Sequence, residues 1–475
     1  MISVIPAPKE VRLVKEKVKL NASVLNNGNF KNAQDTFCEF AARILGVVVT
    51  EEENGTLEWR VEPSYAEEEY KICLDKEKIY LYASKEVGAH NAAMTLLQLL
   101  SVRNGALFYP IGEIYDKPDK PWRGFMLDLA RVWHPKEMLK QYIDMCRFYK
   151  IKYFHLHFND DQSYTLPSDK YPLLSTRGQS YSLEDISEIS AYAQKRGVEL
   201  VPELDVPGHC SAFQNSYPEI FGNNGILCLG KTSLSAIESV FGEFCEMFPY
   251  AEYVHIGADE ANIMLWTECE ECKKTLAEVA PELLSKDKEE QAGYLYAYFV
   301  QRICALVKRY DKKPIVWEGV AEKNNDMIPK DVLVMSWENF YQTTPQLTSA
   351  GFKVINCSWK PLYIVKSKRF WSVKNVYDWN VSDWEAVHCE SPYYRKTYTE
   401  SSSQQVMGAQ LLAWGDGIWV KKEPVQEGII QEKLLVEKRI PALAENTWNV
   451  NKVSDWNEFS SRANKVSVRY RQLEY

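Results

Sequence analysis

The sequence predicts a closed (β/α)₈ barrel behind a small α/β unit, and three observations carry that prediction. From Trp122 onward, short apolar strands alternate with amphipathic helices, the pattern of a parallel sheet covered by helices. Eight such strands fall within about 300 residues, which is what a closed barrel requires. A doubly wound open sheet is the alternative, but no Gly-rich phosphate loop follows the first strand. The chain of 475 residues is also too long for one ordinary core and suits a barrel with a smaller companion.

Residues 1–118 read as the companion. Val11–Leu20 is strand-like, Asn32–Leu45 is a helix stopped by Gly46, and Leu57–Val61 is a further strand. Tyr70–Leu74 and Ile79–Ala83 form a hairpin, and Glu86–Val102 carries Ala92, Leu96, Leu97 and Leu100 at helical spacing. Reactive side chains do not cluster here, so the unit reads as structural. The proline-rich, charged stretch Lys117–Pro121 is the linker, and residues 119–475 form the barrel with C-terminal helices.

In the barrel, Arg123–Ala130 is the first strand, followed by a helix whose first turn holds Pro135. Tyr153–Asn159, Val198–Leu204 and Tyr253–Ala258 are the second to fourth strands. Ile315–Trp317, Val332–Trp337, Val354–Ser358 and Gln410–Trp414 complete the set, with helices at Leu183–Arg196 and Gly293–Tyr310. Active sites of such barrels lie at the carboxyl ends of the strands. Those ends read Asn159-Asp160-Asp161, Glu203-Leu-Asp205, Asp259-Glu260, Trp317-Glu318, Trp337-Glu338, Trp359 and Trp414-Gly-Asp416. One acidic strand end is ordinary; acids and indoles on seven in succession describe an acidic cup walled by aromatic rings. Carboxylates suit sugar hydroxyls and Trp faces suit the C–H surface of a neutral pyranose.

The segment Tyr253-Val-His-Ile-Gly-Ala-Asp259-Glu260 organises that cup. His255-Ile-Gly-Ala-Asp259-Glu260 resembles the His-x-Gly-Gly-Asp-Glu signature of family 20 glycoside hydrolases, the β-N-acetylhexosaminidases. Arg123–Arg131, His155–Gln162 and Pro202–His209 resemble further segments of that family in order and spacing, and residues 1–118 resemble its small amino-terminal domain. The resemblance implies a retaining exo-enzyme that removes terminal N-acetylglucosamine or N-acetylgalactosamine with help from the sugar's own 2-acetamido group. It makes Glu260 the general acid/base and Asp259 the partner of the acetamide. His209 would bridge Asp160 to Glu260, and Arg123 would bind sugar hydroxyls, with Arg131 its rival. Trp317, Trp337 and Trp414 would wall the sugar, Tyr363 would bond the acetamide oxygen, and Asp416 would stand in for a family glutamate. Adjacent strand residues point to opposite faces, so Asp259 and Glu260 are not expected to flank one bond as acid and nucleophile. Crowding by Asp259 and partial burial should raise the pKa of Glu260. Ala258 replaces a signature glycine, which is harmless if its φ is negative.

Rival readings are a family member tuned to 6-sulfo-N-acetylglucosamine or lacto-N-biose, and a barrel that binds glycans without cleaving them. The formal charge of −9 and the lack of a Lys/Arg-rich run argue against nucleic acid or an anionic membrane as partner. The expected partner is a glycan or amino-sugar oligosaccharide, with a homodimer left open. No apolar run approaches a membrane span, so the reading is a cytoplasmic protein or a secreted one whose leader is gone. Neither metal nor organic cofactor is expected. Among 11 cysteines, Cys269-Glu-Glu-Cys272 has metal-ligand spacing, but without an obvious second pair it reads as half-buried thiols. The long aromatic stretch between the last two strands should shape the leaving-group side.

Overall fold

The computed structural model describes residues 2–25, 27–365, 371–386, 390–400, 404–419 and 425–473. Eight parallel strands close a barrel: β1 Trp122–Asp128, β2 Tyr153–His157, β3 Glu199–Glu203, β4 Tyr253–His255, β5 Lys313–Trp317, β6 Leu333–Ser336, β7 Lys353–Asn356 and β8 Val406–Trp414. Each pairs with its neighbour, and β8 closes the ring by pairing with both β7 and β1. A further short strand, Tyr363–Val365, lies parallel to the end of β8. Strands β1, β2 and β6 are buried along their whole length and the others over most of theirs, as a barrel covered on its outer face by helices requires.

Every predicted barrel strand is present, with ends displaced by a few residues. The displacement matters at β4, which stops at His255 instead of running to Ala258. Gly257, Ala258 and Glu260 then take left-handed backbone, with φ of 71°, 79° and 47°. A loop, not strand alternation, therefore aims Asp259 and Glu260. Gly257 is obligatory on two grounds: its φ is positive, and a Cβ there would lie 1.7 Å from Asp205 Oδ1. Ala258 does not meet the condition under which its methyl is harmless, because its φ is positive; the position carries strain of about 1 kcal/mol.

The amino-terminal unit is a twisted sheet whose strands Tyr70–Leu74 and Ile79–Ala83 form the predicted hairpin. Both strands alternate buried and half-buried residues, the mark of one covered face. The sheet's long strand Ala106–Asp116 was not predicted; Gly112 and Pro110 break its pattern, and it pairs with both Glu10–Leu20 and Tyr70–Leu74. Helix Glu86–Leu99 is buried nearly all round because it lies between this sheet and the barrel, where Gln98 donates to the Phe148 carbonyl at 2.9 Å. Helices Val425–Trp448 and Trp456–Tyr470 finish the chain, tied by an Arg462–Glu445 ion pair of 2.7 Å. Among the described residues, no helix is long and apolar enough to cross a membrane.

Candidate active site

Beneath the cup, Glu203 at the end of β3 is wholly buried and holds four rings. It accepts from His155 Nε2 at 3.0 Å, His157 Nδ1 at 2.5 Å and Trp317 Nε1 at 2.6 Å, while His255, whose Nδ1 accepts the Gly257 N–H, packs 2.9 Å from it. Removing this carboxylate would leave several buried donors unpaired, so it is the keystone of the floor. The sequence placed Glu203 at a strand end without assigning that task; nothing local marks it, because its partners come from three other strands.

Above the floor, a chain of charges reaches the rim. His157 Nε2 lies 3.0 Å from Asp160, whose other oxygen is 3.1 Å from His209 Nδ1. His209 Nε2 is 3.4 Å from Glu260 Oε2, so the expected carboxylate–imidazole–carboxylate bridge is geometrically present. Burial opposes charge on His209, but Asp205, Asp160 and Glu260 outweigh it and raise its pKa well above the usual value. Burial of Asp160 is likewise outweighed, by His157 and His209, which hold it far below the carboxylate range.

The two signature carboxylates are perturbed in opposite directions. Asp259 is buried, and desolvation pushes its pKa up to about 6, with Glu260 and Glu203 adding to the effect. Its Oδ1 is buried without a hydrogen-bond partner. Glu260 is 57% exposed at the side chain and is held below the usual value, chiefly by the His209 hydrogen bond. This reverses the expectation that crowding would raise Glu260. The protonated imidazole beside it outweighs partial burial.

Two other expectations change. Arg123 is not in the cup. It starts β1 at the opposite end of the barrel, 1% exposed, donating through Nη1 to Glu68 Oε1 at 3.2 Å and to the Lys120 carbonyl at 2.8 Å. Its rival Arg131 sits at the rim, bound to Asp128 at 3.0 Å, Asp160 at 2.8 Å and Asp416 at 3.3 Å, with its guanidinium 5.3 Å from the Trp414 ring centroid. Trp317 lies one layer deeper than expected, 1% exposed and packed under Trp414 with ring centroids 6.1 Å apart. It supports the wall without forming it.

Trp337, Tyr363 and Trp414 do come together. Tyr363 stacks on Trp337 at 6.0 Å and lies 6.0 Å from Trp414, and the indole nitrogens of Trp337 and Trp414 are buried without partners. Beside them, Glu260, Glu318, Trp337, Glu338, Phe340, Tyr341 and Glu390 line a cavity of about 240 Å³. Burial, with Glu318 and Glu260 nearby, pushes Glu338 up to about 8. A larger cavity of about 800 Å³ lies at the amino ends of the strands, around Lys152, Glu199 and the Ser84–Val87 turn, remote from this constellation. In the long β7–β8 connection, Trp384 is buried with its indole on the Ser336 carbonyl and Tyr377 stacks on Phe459. Those two rings are core, while among the described residues of that connection Glu390 reaches the cavity.

A closed parallel barrel with carboxylates and indoles converging at its carboxyl end is the arrangement of a barrel enzyme suited to a sugar, and the family match makes the class that of the glycoside hydrolases. The chain belongs to glycosyl hydrolase family 20: residues 121–451 match the family's catalytic domain and residues 1–117 its domain 2. It is 28% identical over 392 residues to a beta-hexosaminidase of Vibrio furnissii, covering 75% of this chain and 62% of that one. A beta-hexosaminidase of Akkermansia muciniphila is 27% identical over 433 residues, covering 84% and 82%. In fold, the chain is similar to a family 20 exo beta-N-acetylglucosaminidase from Vibrio harveyi solved with N-acetylglucosamine. That match has a TM-score of 0.82 at 22% identity and covers 99% of this chain and 77% of that one. The N-acetyl-beta-hexosaminidase of Streptomyces plicatus gives a TM-score of 0.77 at 21% identity, covering 99% and 95%.

Proposed function

We propose that the protein is a retaining exo-β-N-acetylhexosaminidase that uses its substrate's 2-acetamido group as the nucleophile. The observation that carries this reading is the buried, unpartnered Asp259 Oδ1 beside an aromatic box, with a second carboxylate at the mouth. A lone buried acceptor suits an amide N–H, and Trp337, Tyr363 and Trp414 suit the methyl and ring of an acetamido sugar.

In this scheme Glu260 protonates the glycosidic oxygen while the acetamide oxygen attacks the anomeric carbon, breaking the bond to the leaving group. Asp259 accepts the acetamide N–H and stabilises the cyclic oxazolinium ion. Glu260, now a carboxylate, takes a proton from the water that opens the ring, and configuration is retained. Arg131, in place of Arg123, is positioned by Asp128 and Asp160 to meet sugar hydroxyls, with Asp416 alongside.

In the free site burial raises the pKa of Asp259 and the His209 contact lowers that of Glu260, the reverse of the order this chemistry needs. A bound acetamido sugar corrects the order. Its N–H favours ionised Asp259, while the sugar's bulk strips water from Glu260 and raises its pKa. Substrate binding and acid activation are thereby coupled.

A panel of p-nitrophenyl β-glycosides tests the proposal. Release from N-acetylglucosaminide and N-acetylgalactosaminide, and none from the glucoside, is expected. Equal cleavage of the glucoside would refute acetamide participation, and inertness toward all would favour a glycan-binding barrel.

A further inference from the structure

The sequence offers Cys269 and Cys272 without a second pair, and the fold supplies a third thiol from a distant loop. Cys228, just ahead of helix Lys231–Met247, brings its Sγ to 3.8 Å from Cys269 and 4.0 Å from Cys272. All three sulfurs lie within 4.8 Å of one another. We infer that Cys228, Cys269 and Cys272 form a zinc site that ties the loop following His209 to the loop following Glu260.

The sulfur spacing is the first argument. Zinc–thiolate bonds of about 2.3 Å in a tetrahedron put sulfurs about 3.8 Å apart, whereas bonded sulfurs lie near 2.05 Å. The surroundings are the second. Cys269 holds the N-cap position of helix Glu270–Val279 and Cys272 sits in its first turn, where the helix dipole favours thiolate. Backbone N–H groups aim at the sulfurs from the other side: Leu229 N lies 3.3 Å from Cys272 Sγ and Gly230 N lies 3.3 Å from Cys228 Sγ. Such donors suit sulfurs that carry charge. Cys228 and Cys269 are half-buried, which leaves the fourth tetrahedral corner open to a water molecule.

The other convergences of potential ligands are occupied otherwise. His155, Glu203 and His255 are wholly buried in the floor of the cup, with His155 hydrogen-bonded to Glu203 and stacked on His255, and the Asp160 and Asp205 groups belong to the cup. The cysteine triad lies outside that network, and its place explains what a metal would do. Trp266 Nε1 donates to the Leu227 carbonyl at 2.8 Å between the same two loops, so zinc would reinforce an existing strap under the loops that carry His209 and Glu260.

The test is metal analysis of the full chain purified in reductant without chelator, together with cobalt(II) titration of the chelator-treated protein. About one zinc per chain and a thiolate-to-cobalt charge-transfer band are expected, both lost in Cys228→Ser but kept in the remote Cys357→Ser. If Cys228→Ser fails to fold, the cobalt spectrum of the unsubstituted chain decides alone. Absence of both zinc and the charge-transfer band would overturn the site. So would peptide mapping of the non-reduced protein that finds Cys228 linked to Cys269 or Cys272 as a disulfide.

Discussion

Arg123 and Arg131 stand eight residues apart in one strand and its turn, both enclosed and both paired with carboxylates. Their surroundings have opposite purposes. Arg123, at the amino end of β1, fastens the barrel to Glu68 of the amino-terminal unit and packs 5.1 Å from the Trp448 ring centroid. Arg131, past the carboxyl end, is held by Asp128 and Asp160 and borders the cup. The five steps of β1 from Arg123 to Asp128, at about 3.3 Å each, set the two ends about 17 Å apart along the strand. Ion pairing and burial alone do not mark a functional residue; the end of the strand it leaves from does.

The largest effect that sharpens this contrast is at the carboxyl end. Glu260→Gln should slow hydrolysis of unactivated substrates about 10²–10⁴-fold, the worth of general acid catalysis, with product binding within a few-fold of wild type. Unchanged turnover of a natural β-linked disaccharide would remove Glu260 from its role.

Next come the arginines themselves. Arg123→Met leaves Glu68 buried without its partner and should cost about 3–5 kcal/mol in chemical denaturation, with KM unchanged. Arg131→Met should raise KM about tenfold or more for a hydrogen-bonded sugar. Exchange of these phenotypes would break the comparison.

A third effect is set by pH. Asp259 must be ionised in the reacting complex, and its pKa in the free site is about 6. Protonation on the acid side of that value removes the working form, so kcat/KM should fall about tenfold per pH unit below about 6. Asp259→Asn should lack that limb. A limb that persists in the variant would assign it to another group.

The smallest effect concerns strain. Ala258→Gly relieves a left-handed alanine but loosens the unfolded chain, for a net stabilisation of at most about 1 kcal/mol. A clear loss of stability on thermal unfolding would mean that the alanine methyl packs better than its φ suggests.

The barrel was legible because buried parallel strands and amphipathic helices carry their period locally. The cup was legible because strand order brings successive strand ends together, and the resemblance to family 20 singled out Asp160, His209, Asp259 and Glu260 within it. What failed depended on a few degrees or on distant chain. The stop of β4 at His255 set Ala258 in left-handed backbone. Arg123 stands at the start of its strand in the sequence as it does in the structure, and the resemblance assigned it to the cup against that position. The low pKa of Glu260 depends on a 3.4 Å approach by His209, which no spacing encodes. Cys228 could not be joined to Cys269 and Cys272 because two loops had to fold together first.

The most direct measurement of the central claim is the affinity of a thiazoline mimic of the oxazolinium ring relative to N-acetylglucosamine, in wild type and Asp259→Asn. Asp259 is proposed to act on the charge that develops in the cyclic intermediate, so the wild type should prefer the mimic by at least about 10²-fold. The variant should lose most of that preference, in line with about 3 kcal/mol for one electrostatic contact in a closed site. A preference that is absent in the wild type, or undiminished in the variant, would contradict the mechanism.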